Sequence, residues 1–349
     1  MKKILGLVFL VIMVSLIFAE PLKVAFVYIG PAGDAGWTFE HDRGRLYLEE
    51  ALGDDVETQF IENVPESSEA AGVIQGYARK GFDLIFTTSF GYMDPTLEVA
   101  KKYPDTIFMH CSGYKTNENM GTYFGRMYQP RYLSGLIAGE MTEDNLIGYV
   151  AAFPIPEVIR GINAFALGVK AVNPDAKIKV VWTNTWFDPT IEKEAAISLL
   201  DLGADVIAQH QDSPAAQQAA QDYGAYCIGY DSDMNAFAPE AYLGAPIWDF
   251  GPYYTKIAES VQNGTWTNEP FWGGLDTGIV KLVISDLVPE DVKEMVLEKQ
   301  EEIIDGELEP FAGPIYDNEG NLKYAEGELP TDEELLAMDW FVDNVEGNL

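Results

Sequence analysis

Lys23-Val24-Ala25-Phe26-Val27-Tyr28-Ile29 runs directly into Gly30-Pro31-Ala32-Gly33-Asp34-Ala35-Gly36-Trp37-Thr38, and this junction decides the fold. After Lys23 the first segment is unbroken apolar chain, as a strand buried on both faces of a parallel sheet requires. Glycine and proline then stop the strand, and helical spacing begins near Phe39. Strand, glycine-rich loop and helix in that order open an α/β unit. Open sheets of that kind bind ligands beyond the carboxyl ends of their strands, which is where Trp37 stands. The glycine spacing departs from the dinucleotide-binding pattern, so no nucleotide cofactor is expected.

Outward from this unit the same alternation continues. Strands are predicted near Lys23–Ile29, Glu57–Ile61, Asp83–Thr88, Thr106–His110, Thr122–Met127, Ile147–Ala151, Ile178–Thr183, Val206–Gln209 and Tyr226–Tyr230. Helices are predicted near Phe39–Leu52, Glu66–Lys80, Thr96–Lys102, Tyr132–Met141, Ile155–Val172, Thr190–Leu202 and Ala215–Tyr223. Parallel strands need crossovers of a dozen or more residues, and each gap supplies one. Nine strands in 349 residues suit two sheets better than one.

Asp94-Pro95, Asp188-Pro189 and Ser213-Pro214 each follow a predicted strand, pairing a capping side chain with a preset φ. Capping accounts for Asp94 and Asp188. It does not account for the large or acidic residues beside these pairs: Phe90 and Tyr92, Trp186 and Phe187, and Asp212.

The chain carries 22 Lys+Arg against 56 Asp+Glu, a formal charge of −34. That field excludes a nucleic-acid partner and favours a neutral or cationic ligand. Met1-Lys2-Lys3, the uncharged apolar stretch Ile4–Phe18 and Ala19 before Glu20 read as a secretory signal peptide cleaved near Ala19. An exported, extracytoplasmic protein is therefore expected. Cys111 and Cys227 each lie in or beside a strand and read as buried thiols. His41, His110 and His210 lack metal-ligand spacing, so no metal site is expected. Gly-x-Ser-x-Gly, His-Glu-x-x-His and the Walker phosphate loop are all missing, and no other catalytic constellation stands out.

Asp34-Ala35-Gly36-Trp37-Thr38 is followed in order by Gly81-Phe82-Asp83-Leu84-Ile85, Tyr103-Pro104-Asp105-Thr106-Ile107-Phe108, Tyr132-Leu133-Ser134-Gly135-Leu136-Ile137-Ala138-Gly139 and Ile159-Arg160-Gly161-Ile162-Asn163-Ala164-Phe165-Ala166-Leu167-Gly168. Gly229-Tyr230-Asp231-Ser232-Asp233 and Gly273-Gly274-Leu275-Asp276-Thr277-Gly278 complete the series. From about Lys23 to Gly313 the chain resembles the basic membrane protein family, the purine nucleoside receptor A-like solute-binding proteins of ABC transporters.

The resemblance implies an α/β, type I periplasmic-binding-protein fold: two Rossmann-like lobes with parallel sheets, joined by a three-stranded hinge, with ligand in the cleft. The expected division is 1–19 signal peptide, 20–128 plus 245–275 lobe 1, and 129–244 plus 276–349 lobe 2. The partners it implies are a small-molecule ligand and a membrane permease; the receptor itself is expected to be a monomer without cofactor. In the nucleoside branch aromatic rings hold the base. Here tryptophans stand at Trp37 and Trp186 where that branch is phenylalanine-like, and Trp248 stands where it has a lysine. An indole fills volume and offers one donor where a lysine would reach ribose hydroxyls. The expected ligand is thus a purine base, adenine or hypoxanthine. The alternatives are a purine nucleoside or, from another class, an exported nucleoside hydrolase or phosphorylase. Expected ligand-binding residues are Trp37, Phe90, Trp186 and Trp248 as aromatic walls, Asp212 and Asp231 as acceptors, and Tyr92 and Gln129 as further contacts.

Overall fold

A computed structural model describes residues 20–349. The leader segment expected at 1–19 lies outside the described residues. β1 (Leu22–Val27), β2 (Val56–Ile61), β3 (Leu84–Thr87), β4 (Ile107–Cys111) and β5 (Met120–Gly125) alternate with α1 (Trp37–Leu52), α2 (Ser68–Arg79) and α3 (Met93–Ala100). The chain then crosses to α4 (Tyr128–Met141), β6 (Leu146–Ala151), α5 (Pro156–Val172), β7 (Lys177–Trp182), α6 (Pro189–Leu200), β8 (Val206–His210), α7 (Ala215–Tyr223), β9 (Tyr226–Ile228) and β10 (Tyr242–Trp248). It returns for α8 (Gly251–Gln262) and β11 (Phe271–Gly273), and crosses a third time to β12 (Val280–Ile284) and α9 (Glu290–Ile304). The tail forms a hairpin of β13 (Ile315–Tyr316) and β14 (Leu322–Tyr324), then α10 (Asp332–Leu336) and β15 (Val345–Glu346).

Two sheets result, ordered β11-β5-β4-β3-β1-β2 and β12-β10-β9-β8-β6-β7-β15. All pairings in the first are parallel; in the second only β12 runs antiparallel, against β10. β1 shows why its run is continuous. Val24 and Phe26 enter the core beneath α1 and α8, while Ala25 and Val27 face the core beneath α2 and α3. Alternate side chains thus meet helices on both faces, so every position is apolar.

The three crossings lie side by side. Arg126 donates its backbone N–H to the Gly273 carbonyl at 2.6 Å, and Asp249 donates to Ile279 at 2.9 Å. Expected strand positions match to within a few residues through β9. The return at residue 245 does not match. Ala245–Trp248 stay in the second sheet, paired with β12. No strand is predicted over Gly244-Ala245-Pro246, where proline cannot donate to a central ladder. Pro246 is tolerated because β9 ends at Ile228 with Gly244 as its last partner on β10, and beyond it the pairing continues only as an isolated bridge from Asp231 to Ile247. The caps divide too. Asp188 caps α6 through Thr190 and Ile191 N–H groups, as expected. Asp94 lies inside α3 and pairs with Lys115 at 2.6 Å instead. Both cysteines are free and buried, one in each sheet.

Candidate functional site

The carboxyl ends of the two sheets face each other across a pocket lined by Ile29, Trp37, Ser89, Phe90, Ser112, Glu157, Trp186, His210, Asp212 and Tyr230, with about 360 Å³ of space between protein atoms, open solvent included. Four non-glycine residues with positive φ sit in loops after strands that point here: Ala35 (69°), Ser112 (63°), Asn184 (56°) and Asp231 (66°). Such left-handed backbone costs energy and concentrates at functional sites.

Asp34 builds the first wall. Its carboxylate accepts from Gly36 N–H (2.8 Å), Thr38 N–H (3.0 Å) and Phe39 N–H (2.9 Å), so the strand-to-helix turn closes on its own side chain. This fixes Trp37 at the start of α1. The indole N–H donates to the Thr88 carbonyl at 2.6 Å, and the ring packs edge-on against His41, Trp248 and Phe250. Phe90 sits on a single 3₁₀ turn, Phe90–Tyr92, held by Glu66, which accepts from Ser89 Oγ and Gly91 N–H, each at 2.6 Å. Across the cleft Trp186 lies between β7 and α6, edge-on to Phe153 at 5.0 Å. The Trp186 carbonyl accepts from Asp212 N–H at 3.2 Å, tying two rim loops together.

Asp212 is 4% exposed, lines the pocket, and makes no side-chain hydrogen bond among the described residues. Burial, then the nearby Asp231 and Asp34 carboxylates, push its carboxyl well above the ordinary range. His210 is buried with Nδ1 unpartnered, and burial beside Arg131 and Arg160 keeps the ring neutral. Its Nε2 stands 3.8 Å from Glu157 Oε1. Tyr230 packs on His210 at 4.4 Å, and the Arg131 guanidinium lies over the Tyr230 ring at 3.8 Å.

Of the expected residues, Trp37, Phe90, Trp186 and Asp212 converge on the pocket. Four do not line it. Tyr92 is fully buried in the core under α2 and α3, its hydroxyl donating to the Val64 carbonyl. One 3₁₀ turn separates it from Phe90 and sends the two rings to opposite sides. Gln129 braces the hinge, its Oε1 accepting from Leu275 N–H at 2.9 Å. Trp248 lies behind Trp37, stacked on Phe250 at 5.1 Å, and donates its indole N–H to Asp231 Oδ1 at 3.0 Å. Asp231 is thus a support for Trp248, with Oδ2 buried and unpartnered. Ser89, Ser112, Glu157 and Tyr230 were not singled out from sequence, and only the strand-end position of His210 carried a signal.

The lobes touch. Ser232 Oγ donates to the Ala35 carbonyl across the cleft at 2.5 Å, and Gly36 lies directly against the Asp212 backbone. The molecule is in a closed arrangement. Among the described residues no helix is long and apolar enough to cross a membrane.

Residues 22–311 match the family described as Bmp, ABC transporter substrate-binding protein PnrA-like. A purine-binding protein of Brucella abortus is 49% identical over 330 residues, covering 95% of this chain and 94% of the relative. A putative ABC transporter glucose-binding protein of Haloferax volcanii is 47% identical over 333 residues, covering 95% and 82%. A solved ABC-transporter solute-binding protein from Conexibacter woesei superposes with a TM-score of 0.69 at 25% identity, over 82% of this chain and 98% of that one. Two sheets, parallel except for β12, with three crossings and a pocket at the strand ends are the type I periplasmic-binding-protein fold, and the chain belongs to the Bmp family of PnrA-like substrate-binding proteins of ABC transporters.

Proposed function

We propose that this protein is an extracytoplasmic receptor that captures a purine nucleobase, adenine or hypoxanthine, hands it to a membrane permease and carries out no chemistry on it. The observation that carries this reading is the aromatic gap between Trp37, Phe90 and Trp186 with the partnerless Asp212 at its edge. A flat heterocycle gains about 1–3 kcal/mol from each ring it stacks on. A ring N–H donated to Asp212 adds about 1.5–3 kcal/mol and offsets the burial that otherwise holds the acid neutral. Trp248 supports a base over a nucleoside. It fills the space behind Trp37 and donates to one Asp231 oxygen, an apolar ring standing where a lysine would offer donors to ribose hydroxyls. The purine-binding relative points the same way.

A sugar is the second reading, favoured by the name of the Haloferax relative. A hexose presents hydroxyls around its whole rim and needs as many polar partners. A thermal-shift panel of adenine, hypoxanthine, guanine, adenosine, inosine, riboflavin and glucose separates the readings, because only a bound ligand raises the melting temperature. Adenine or hypoxanthine is expected to stabilise, with adenosine weaker by orders of magnitude and no base released from it. Stabilisation by glucose with no purine effect would overturn the proposal. Trp186→Ala is expected to weaken nucleobase binding at least tenfold by calorimetry while barely moving the melting temperature, since the ring is half-buried. Trp37 is a poorer test, being packed among three other rings.

A further inference from the structure

Glu157 opens α5 and reaches the pocket from the second lobe, its side chain 17% exposed. Among the described residues no protein group hydrogen-bonds its carboxyl, and no basic side chain lies within ion-pairing distance except His210, 3.8 Å away and neutral. Arg160, one turn on, is spent elsewhere: Nη1 donates to the Leu335 carbonyl at 2.7 Å and the guanidinium lies over Trp272. Arg131 on α4 donates to the Gln209 carbonyl at 2.6 Å and covers Tyr230. Arg131 keeps Nε and Nη2 buried without partners, and both guanidinium groups favour the Glu157 anion; against them stand like charges. Glu66 faces Glu157 from the first lobe and Asp212 from the end of β8. Cys111 and Tyr230, the remaining titratable neighbours, are held protonated by burial.

We infer that Glu157 is the specificity-determining residue of this pocket, facing the ligand as a neutral carboxylic acid that offers one donor and one acceptor to its edge. This rests on the purine reading above. Two largely buried acids share this pocket, and they do not both ionise there. A ligand N–H given to Asp212 makes that group the anion, and its charge then holds Glu157 neutral. A carboxylic acid pairs two-pronged with any ring edge that sets a donor beside an acceptor: N6–H with N1 in adenine, N1–H with O6 in hypoxanthine. An edge of two acceptors or two donors leaves one prong unmatched, with a buried polar group unpaired. Burial opposed by Arg160 pushes the Glu157 carboxyl from its ordinary 4.5 up to about 7 in the closed protein, in accord with this assignment.

Closing on ligand should therefore take up a proton. In the open protein a hydrated Glu157 titrates near its ordinary value; in the closed complex it titrates higher. Affinity is then greatest at low pH, falls by up to about tenfold per pH unit between the two values, and levels above the upper one. Adenine calorimetry between pH 5.5 and 7.5, in buffers of different protonation enthalpy, reads both consequences. Wild type is expected to lose at least tenfold in affinity across that span and to bind close to one proton per adenine near pH 6. Glu157→Gln keeps a donor and an acceptor without a titrating proton. It is expected to retain the low-pH affinity within about threefold and to lose most of the slope. Any slope that remains in this variant belongs to Asp212 and Asp231. A flat wild-type profile with adenine still bound, or no proton uptake, would overturn the assignment alone, and the wild-type uptake decides it even if the variant folds poorly. No binding of adenine or hypoxanthine at any pH would overturn the purine reading, and this assignment with it.

Discussion

Gly36→Ala is expected to raise the dissociation constant for the nucleobase at least a hundredfold while leaving both lobes folded. A β-carbon at this position would lie 2.2 Å from the Asp212 carbonyl oxygen and 2.8 Å from both its carbonyl carbon and its Cα. These are backbone atoms, held by the Asp212-to-Trp186 hydrogen bond, and cannot swing aside as the tip of a side chain would. Gly36 and Asp212 belong to different lobes, so the clash exists only when the cleft is shut. Holding the lobes apart removes the Ser232-to-Ala35 bond and opens the aromatic gap to water. A hundredfold loss corresponds to about 2.7 kcal/mol, the scale of one stacked ring and one hydrogen bond together. Calorimetry on the variant, with its unliganded melting temperature within a few degrees of wild type, checks the expectation. Unchanged affinity would show that closure does not need the Gly36 contact.

Gly168→Val is expected to damage the fold itself. α4 and α5 lie so close that a β-carbon on Gly168 would stand 2.0 Å from the Tyr132 carbonyl oxygen, and one on Gly135 would stand 2.1 Å from that of Phe165. Glycine in mid-helix costs about 1 kcal/mol relative to alanine, so propensity alone argues for replacing it. Overpacking two helix backbones costs about 1–3 kcal/mol or more, and valine adds its β-branch, so the clash wins. A fall of several degrees or more in the melting temperature is expected by calorimetric scan, with nucleobase affinity reduced as well. The second effect follows from position: α4 carries Arg131 and α5 carries Glu157, so spreading the pair moves one wall of the pocket.

The parts of this architecture that sequence discloses are those encoded locally. β1 and its loop announce themselves because burial on two faces demands unbroken apolar chain, and the following turn needs glycine. Trp37, Phe90, Trp186 and Asp212 could be picked out because each lies within a few residues of a strand end, where sheet topology alone brings groups together. Glu157 on α5, His210 on β8 and Tyr230 in the loop after β9 lie far apart along the second lobe, and nothing in their spacing signals that they meet. Tyr92 was misplaced because a strand-end position does not tell which side of a 3₁₀ turn faces the cleft. Trp248 and Asp231 were misplaced because they satisfy each other, and a buried donor–acceptor pair reads in sequence as two free ligand contacts. Asp34 escaped notice for the opposite reason: its partners are its own neighbours' amides, so its role is structural although it shapes the pocket.

The placement of the two sulfurs reaches beyond packing. Cys111 lies on β4 of one sheet and Cys227 on β9 of the other, both sealed from solvent, and burial holds each thiol protonated. The thiolate needed to attack an oxidant or another sulfur is therefore suppressed in the native protein. Neither sulfur of the folded molecule waits on an oxidoreductase, so the native protein's binding behaviour is indifferent to the redox poise around it.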